Sequence, residues 1–350
     1  MRTRNIGGTQ VSCLGIGAMS FADFYGPTTE ENSFAILDAA RAAGVTHIDT
    51  SNVYGMGRSE RTIGAWLAAN PGAREGVHIA TKAGITRTAD GKRAFDNSLA
   101  HMEHELDGSL ARLGTDCVDL FYVHRYQAAI PVEDVAGTMG RLVEKGKCKA
   151  IGFSEIAPST LRRAHAAHPV AAVQSEYSLS TRLPEMGLLQ ACEELGVALV
   201  AFSPVGRSLL TDTPITRERI AANPFLASNP RMMEPNLSAN LKIVEGFRAL
   251  AAEMGLPLYR VGMMDAARVA RSGYDGWRAG RAIVLPGLLN RLLVLGSRLL
   301  PRAADAPGEA RQPPGCDEEP THGTGPHHSA QRRDVRGRGC PGGWLGGARR

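Results

Sequence analysis

The chain has no C-x-x-C pair. Its six cysteines (Cys13, Cys117, Cys148, Cys192, Cys316 and Cys340) are scattered over 350 residues. That spacing argues against the common zinc and dithiol motifs and reads as reduced thiols in a cytoplasmic protein. No run of about eighteen apolar residues occurs, so no membrane-spanning helix and no membrane partner are expected. The start, Met1-Arg2-Thr3-Arg4-Asn5, lacks the apolar stretch of a secretory signal. Neither standard glycine-rich phosphate loop is present. Lysine is missing from Pro257 onward, where 15 Arg stand against 8 Asp and Glu, a net of +7. The overall charge of +5 therefore belongs to that stretch, and residues 1–256 carry −2. A folded part of slightly negative charge is not a polyanion-binding surface, and no nucleic-acid partner is expected.

What is present is an alternation of short apolar runs with amphipathic stretches. The runs are Val11–Ile16, Thr46–Ile48, Val77–Ala80, Val118–Val123, Ala150–Phe153, Ala171–Gln174 and Val197–Phe202. Each reads as a strand buried on both faces. Helical spacing recurs between them: Phe34, Ile36, Leu37 and Ala40 before Gly44; Leu99, Met102, Leu106, Leu110 and Leu113; Val132 to Glu144; and Leu188 to Leu195. This rhythm predicts parallel βαβ units, and an open doubly wound sheet and a closed barrel fit it equally. Gly7-Gly8-Thr9 predicts a small hairpin ahead of the first strand. Residues 203–238 read as a long loop with a helical turn or two, followed by a helix marked by Leu241, Val244, Phe247 and Leu250.

Polar groups fall where these strands end. Asp49 follows Thr46–Ile48, Lys82 follows the Val77–Ala80 run, His124 closes Leu120–Val123, and Tyr54 lies five residues after Asp49. In parallel sheets such groups emerge together at the carboxyl ends of the strands, where α/β folds build active sites. The set suits one chemistry. A carbonyl that receives hydride leaves charge on its oxygen, which needs a proton. A phenol, with a free pKa near ~10, gives that proton readily only beside a cation. Lys82 offers the cation, Asp49 would keep it charged, and His124 would polarise the carbonyl. Taken singly, each has an ordinary reading: Asp49 as a turn cap, Tyr54 as surface packing, Lys82 as a solvated amine, His124 as a satisfied buried histidine. His101 and His104 stand three apart on a helix without a third ligand, so no metal is expected.

The segment His47-Ile48-Asp49-Thr50-Ser51-Asn52-Val53-Tyr54-Gly55 resembles the aldo-keto reductase signature. Ile79-Ala80-Thr81-Lys82 resembles the lysine strand of that family, and Asp119-Leu120-Phe121-Tyr122-Val123-His124 its histidine strand. The likeness runs from about residue 3 to residue 255, within the branch that contains potassium-channel β-subunits and bacterial aldehyde reductases. It implies a (β/α)8 TIM barrel and NADPH as cofactor, with a small-molecule carbonyl substrate. By the same resemblance Ser154 and Gln174 hold the nicotinamide carboxamide. Phe202 stacks on the ring, and Ser203, Pro204, Val205 and Arg207 form the adjoining cofactor loop. Glu155 stands where many relatives carry Asn, and Ser208 where Gly is common. Phe21, Phe24 and Tyr25 are candidate walls of the substrate pocket.

The pattern breaks near Gly255-Leu256-Pro257. Residues 1–256 read as the barrel and 257–300 as its degraded or divergent end, with the last βα unit doubtful. There Val284-Leu285-Pro286-Gly287 is a remnant of the eighth strand and Arg291 a candidate phosphate contact. Residues 301–350, dense in Gly, Pro and Arg, read as a disordered tail. A frameshifted or otherwise aberrant translation after residue 256 explains the break, and natural divergence is the alternative. The expected function is NADPH-dependent reduction of aldehydes or ketones. The alternatives are a non-catalytic NADPH-binding regulatory subunit and an inactive frameshift product. Neither the oligomeric state nor the particular carbonyl substrate is legible.

Overall fold

The computed structural model describes residues 1–211 and 214–253. The expectations for 257–300 and 301–350, including the eighth-strand remnant and Arg291, lie outside the described residues. The chain opens with a hairpin, β1 (Thr3–Ile6) and β2 (Thr9–Ser12), paired antiparallel around Gly7-Gly8. Seven parallel strands follow: β3 (Gly15–Gly17), β4 (His47–Asp49), β5 (His78–Ala83), β8 (Leu120–Val123), β9 (Ile151–Ser154), β10 (Val170–Glu176) and β11 (Ala198–Phe202). They lie in the order β11-β10-β9-β8-β5-β4-β3, a nearly closed barrel with β3 and β11 at its edges. A second hairpin, β6 (Ile85–Arg87) with β7 (Arg93–Phe95), rises from the end of β5.

Two of the helices that cover the barrel begin at a side chain that caps their first N–H groups. α1 (Glu30–Ala42) starts at Thr29, whose hydroxyl accepts from Asn32 N at 3.2 Å. α3 (Leu99–Leu113) starts at Ser98 and stops at Gly114, left-handed at φ 66°. α4 (Val132–Glu144) and α6 (Leu188–Leu195) match the predicted spans. Two helices carry a weaker sequence signal: α2 (Arg58–Ala69), which buries Ile63 and Trp66, and α5 (Pro158–Ala167), which opens on a proline. The 203–238 region holds the short helices α7 (Arg217–Ala221) and α8 (Pro224–Ala227), and α9 (Asn236–Glu253) follows.

One expected strand divides. Val11–Ile16 reads as a single run, but Val11 and Ser12 belong to the hairpin and only Gly15–Gly17 joins the barrel. Ser12 exchanges hydrogen bonds with Thr46 (Ser12 N to Thr46 Oγ1 and Thr46 N to Ser12 Oγ, both 2.8 Å), and the chain bends there from hairpin to barrel.

Alternation along each strand makes two cores. Outward residues such as Ile48, Ile79, Phe121, Phe153 and Val173 pack under the helices with Trp66, Leu106 and Met139. Inward residues (Ala80, Leu120, Tyr122 and Ala172) pack on Ile6 and Val11 of the first hairpin, which closes that end of the barrel. Gly152 is required here: a Cβ would stand 2.5 Å from the Tyr122 ring and 2.9 Å from Ala172 O.

The barrel also buries histidines. His47 and His78 share a hydrogen bond between their Nδ1 atoms at 3.0 Å. Burial pushes both below the usual imidazole value, His78 to about 4, and pushes His124 well below it. An unfolded chain binds protons at these imidazoles below 6.5, whereas the folded chain refuses them until a lower pH. Stability is therefore complete above pH 6.5 and falls as pH drops toward 4. Urea midpoints at about pH 7 and about pH 5 should show this fall, and His78→Gln should shrink it; equal midpoints for the native chain would contradict the argument.

Candidate functional site

The polar cluster forms at the carboxyl ends of β4, β5 and β8. The loop after β4 stays bound to β5, since Thr50 N donates to Ala80 O at 2.8 Å and Asn52 N to Lys82 O at 3.2 Å. This lays Thr50–Tyr54 over Lys82. The loop then turns through Gly55, Met56 and Gly57, all at positive φ. A Cβ at Gly55 would meet that of Ala22 at 2.8 Å, so glycine is demanded by both conformation and space. Below the turn, Thr50 Oγ1 and Ser59 Oγ lie 2.8 Å apart, and Ser59 donates to Ala18 O.

Lys82 is wholly buried. Its Nζ donates to Asp49 Oδ1, to Thr50 O at 2.9 Å and to the Tyr54 hydroxyl at 3.4 Å. Burial favours the neutral amine, but the Asp49 carboxylate and Tyr54 outweigh it and hold Lys82 above the usual lysine value. The other Asp49 oxygen accepts from Gln174 Nε2 at 2.7 Å. The Tyr54 ring meets those of Phe24 and His124 edge-on, with centroids 5.8 and 6.0 Å away. His124 is neutral in this setting, held low first by burial and then by the Lys82, Arg125 and Arg93 charges. Thus Asp49, Tyr54, Lys82 and His124, from three strands and a loop, share one site.

The structure adds residues that the sequence reading gave no role. Ser51 Oγ lies 3.0 Å from His124 Nδ1. When that hydroxyl donates to Nδ1, the imidazole proton sits on Nε2. Glu60 is fully buried on α2; it accepts from Thr81 Oγ1 at 2.5 Å and from Arg112 Nε at 2.6 Å. It thereby ties α2 and α3 to the strand residue beside Lys82. Arg125 donates through Nη1 to His124 O at 2.6 Å and to Ser154 Oγ at 2.9 Å. Of these only Arg125, next to His124 in sequence, carried a positional signal; Ser51 and Glu60 read as ordinary polar residues.

Asp49, Tyr54, His124 and Arg125 line a cavity of about 1280 Å³. Ser154, Gln174, Phe202, Ser203, Pro204 and Arg207 line it too, whereas Val205, 45% exposed, does not. Phe24, Tyr25 and Phe225 form an aromatic wall in edge contacts. Phe21, expected in that wall, is buried in the outer core. Glu155 adopts φ 58° and accepts from Glu176 N at 2.7 Å. Among the described residues no metal-binding cluster occurs, and no helix is long and apolar enough to cross a membrane.

The buried ion pair has a measurable consequence. Asp49→Asn leaves the ammonium buried beside a neutral amide and should cost about 3–5 kcal/mol in urea unfolding. Adding Lys82→Met should recover much of that loss, because the unpaired charge is gone. A single variant as stable as the native chain would show that the charge pair is not needed.

The model of the Aldo/keto reductase family matches residues 13–270, beyond the break expected near residue 256. A curated aldo-keto reductase of Schizosaccharomyces pombe, whose name includes NADP(+), is 38% identical over 253 residues, 71% of this chain and 74% of its own. An aldo-keto reductase of Strobilurus tenacellus is 41% identical over 69% of this chain and 72% of its own. Among solved structures, a glycerol dehydrogenase from Gluconobacter oxydans superposes with a TM-score of 0.61 at 26% identity, covering 72% of this chain and 79% of that one. An aldo-keto reductase from Bacillus halodurans in its holo form gives 0.55 at 30% identity, covering 62% and 70%. With its parallel barrel and a family match over most of its length, the chain belongs to the aldo/keto reductase family.

Proposed function

We propose that this chain reduces an aldehyde or ketone to the alcohol with NADPH, Tyr54 acting as the acid. One observation carries the reading: the Tyr54 hydroxyl lies 3.4 Å from a buried ammonium and beside a neutral imidazole, at the mouth of the barrel.

The site's donors and acceptors fit the cofactor. A primary amide offers one carbonyl and one NH2. Ser154 Oγ accepts from Arg125 and so keeps its own proton to donate, and Gln174 Oε1 has no partner among the described residues. Together they complement a carboxamide. Further along, Arg207 Nε is buried with no hydrogen-bond partner among the described residues, while its guanidinium stacks over Phe225 at 5.0 Å. Such an orphaned cationic donor suits a pyrophosphate. The NADP(+) in the name of the S. pombe relative supports the choice of cofactor.

Bound NADPH supplies a hydride for the carbonyl carbon. Tyr54 gives its hydroxyl proton to the carbonyl oxygen, and the Lys82 ammonium stabilises the phenolate left behind. Asp49 keeps that ammonium charged, and His124 donates from Nε2 to the same oxygen. Ser51 is the positioning residue for the imidazole, and in this reading its hydroxyl donates to Nδ1. The aromatic wall of Phe24, Tyr25 and Phe225 limits water at the reacting atoms.

Tyr54→Phe should lower kcat for an aromatic aldehyde by about 10²–10⁴-fold and leave NADPH binding, read by fluorescence quenching, intact. Comparable turnover by the two proteins would remove Tyr54 from the acid role.

A further inference from the structure

The cavity carries more positive charge than the chemistry above uses. Its walls include Arg4, Arg87, Arg93, Arg112, Arg125 and Arg207, against Asp49 and Glu105. Several are accounted for. Asp49 is committed to Lys82, Arg112 to Glu60, and Glu105 accepts from Asn52 Nδ2 at 2.7 Å. Arg207 lies over Phe225 and Arg4 on the first hairpin. Arg87 donates to Gly91 O in its own hairpin at 2.9 Å. Arg93 and Arg125 remain.

Arg93 sits on β7, in the hairpin that rises from the lysine strand. Its guanidinium lies over Phe95 at 5.5 Å and makes no ion pair or side-chain hydrogen bond among the described residues. Arg125 uses Nη1 on His124 O and Ser154, which leaves Nε and Nη2 without an acceptor among the described residues. Glu155 attracts Arg125 electrostatically but forms no ion pair with it, and one Glu155 oxygen is held by Glu176 N. Arg93 meanwhile repels Arg125, and both charges act on His124. Two guanidiniums with donor edges to spare thus line the same cavity as the reacting imidazole. Arg125 is half-buried and Arg93 exposed; an incoming carboxylate relieves their repulsion and takes charge-assisted hydrogen bonds from both.

We propose that the natural substrate is an anionic carbonyl compound, an aldehyde or ketone with an apolar body and a carboxylate, whose carboxylate is gripped by Arg93 and Arg125. The aromatic wall of Phe24, Tyr25 and Phe225 receives the apolar body. This assignment rests on the reductase reading for its carbonyl and on the guanidinium pair for its charge, and the two parts are separable by experiment.

The probes are 4-carboxybenzaldehyde and its methyl ester, which keeps the shape and removes the charge. Steady-state reduction by the full chain with NADPH is measured for both. Equilibrium binding of the corresponding alcohols, 4-(hydroxymethyl)benzoate and its methyl ester, is measured by calorimetry with NADP+ present. The acid should be preferred by about tenfold or more in both kcat/KM and affinity. Arg93→Gln should remove most of that preference and Arg93→Lys retain part of it. Circular dichroism checks that the variants fold; Arg93 is exposed on its hairpin, so its loss should not disturb the barrel. Equal handling of acid and ester, or a preference unaffected by Arg93→Gln, would overturn the anionic assignment even if both aldehydes are reduced. Preferential binding of the acid that depends on Arg93, without reduction of either aldehyde, would uphold the anion site and overturn the reductase reading instead.

Discussion

A lysine ammonium cannot be stripped of water without a carboxylate to hold its charge, and the site is arranged around that requirement. Lys82 is wholly buried, and Asp49 is the carboxylate beside it. The isolated cost of burying either ion is several kcal/mol, so the pair persists only where hydrogen bonds complete it. They do: Thr50 O accepts a second ammonium proton, Tyr54 a third, and Gln174 donates to the free Asp49 oxygen. The same saturation that makes the charges tolerable fixes the phenol, because one of the three ammonium directions ends on its oxygen.

The barrel provides the dry space this pair needs. Inward positions are occupied by Ala80, Ala172 and Gly152 around the single large ring of Tyr122. Small residues opposite a large one let a narrow interior fill without strain. The hairpin at the far end contributes Ile6 and Val11 as the floor. Outside, Glu60 is a second buried carboxylate with a different task. It joins α2 and α3 to Thr81, so the residue next to Lys82 cannot slide along its strand. Positioning at the mouth is thereby tied to packing on the outer surface.

Electrostatics divides the mouth into regions of different character. Asp49 cancels Lys82, burial keeps His124 neutral, and the aromatic wall is uncharged. Arginines with no carboxylate partner among the described residues also line the cavity, Arg93, Arg125 and Arg207 included. A bound molecule that carries anionic groups matches that surplus of positive charge.

Sequence alone determined the strand rhythm, the helices α4 and α6, and the polar residues Asp49, Lys82 and His124 at strand ends with Tyr54 in the loop after the first. Periodicity and position relative to a strand are local properties, and a parallel sheet turns those positions into one rim. It did not show that Val11–Ile16 divides between hairpin and barrel, because the bend is made by bonds to Thr46, thirty-four residues away. Nor did it distinguish an open sheet from a barrel by spacing; only strand order decides that, and the family signature supplied the expectation. The surroundings of Ser51, Glu60 and Arg93 came from tertiary structure alone. A serine, a glutamate and an arginine carry no mark in sequence of what they will face. The partner that gives each its meaning (an imidazole, a strand hydroxyl, a second guanidinium) is delivered by the closing of the barrel, not by the chain nearby.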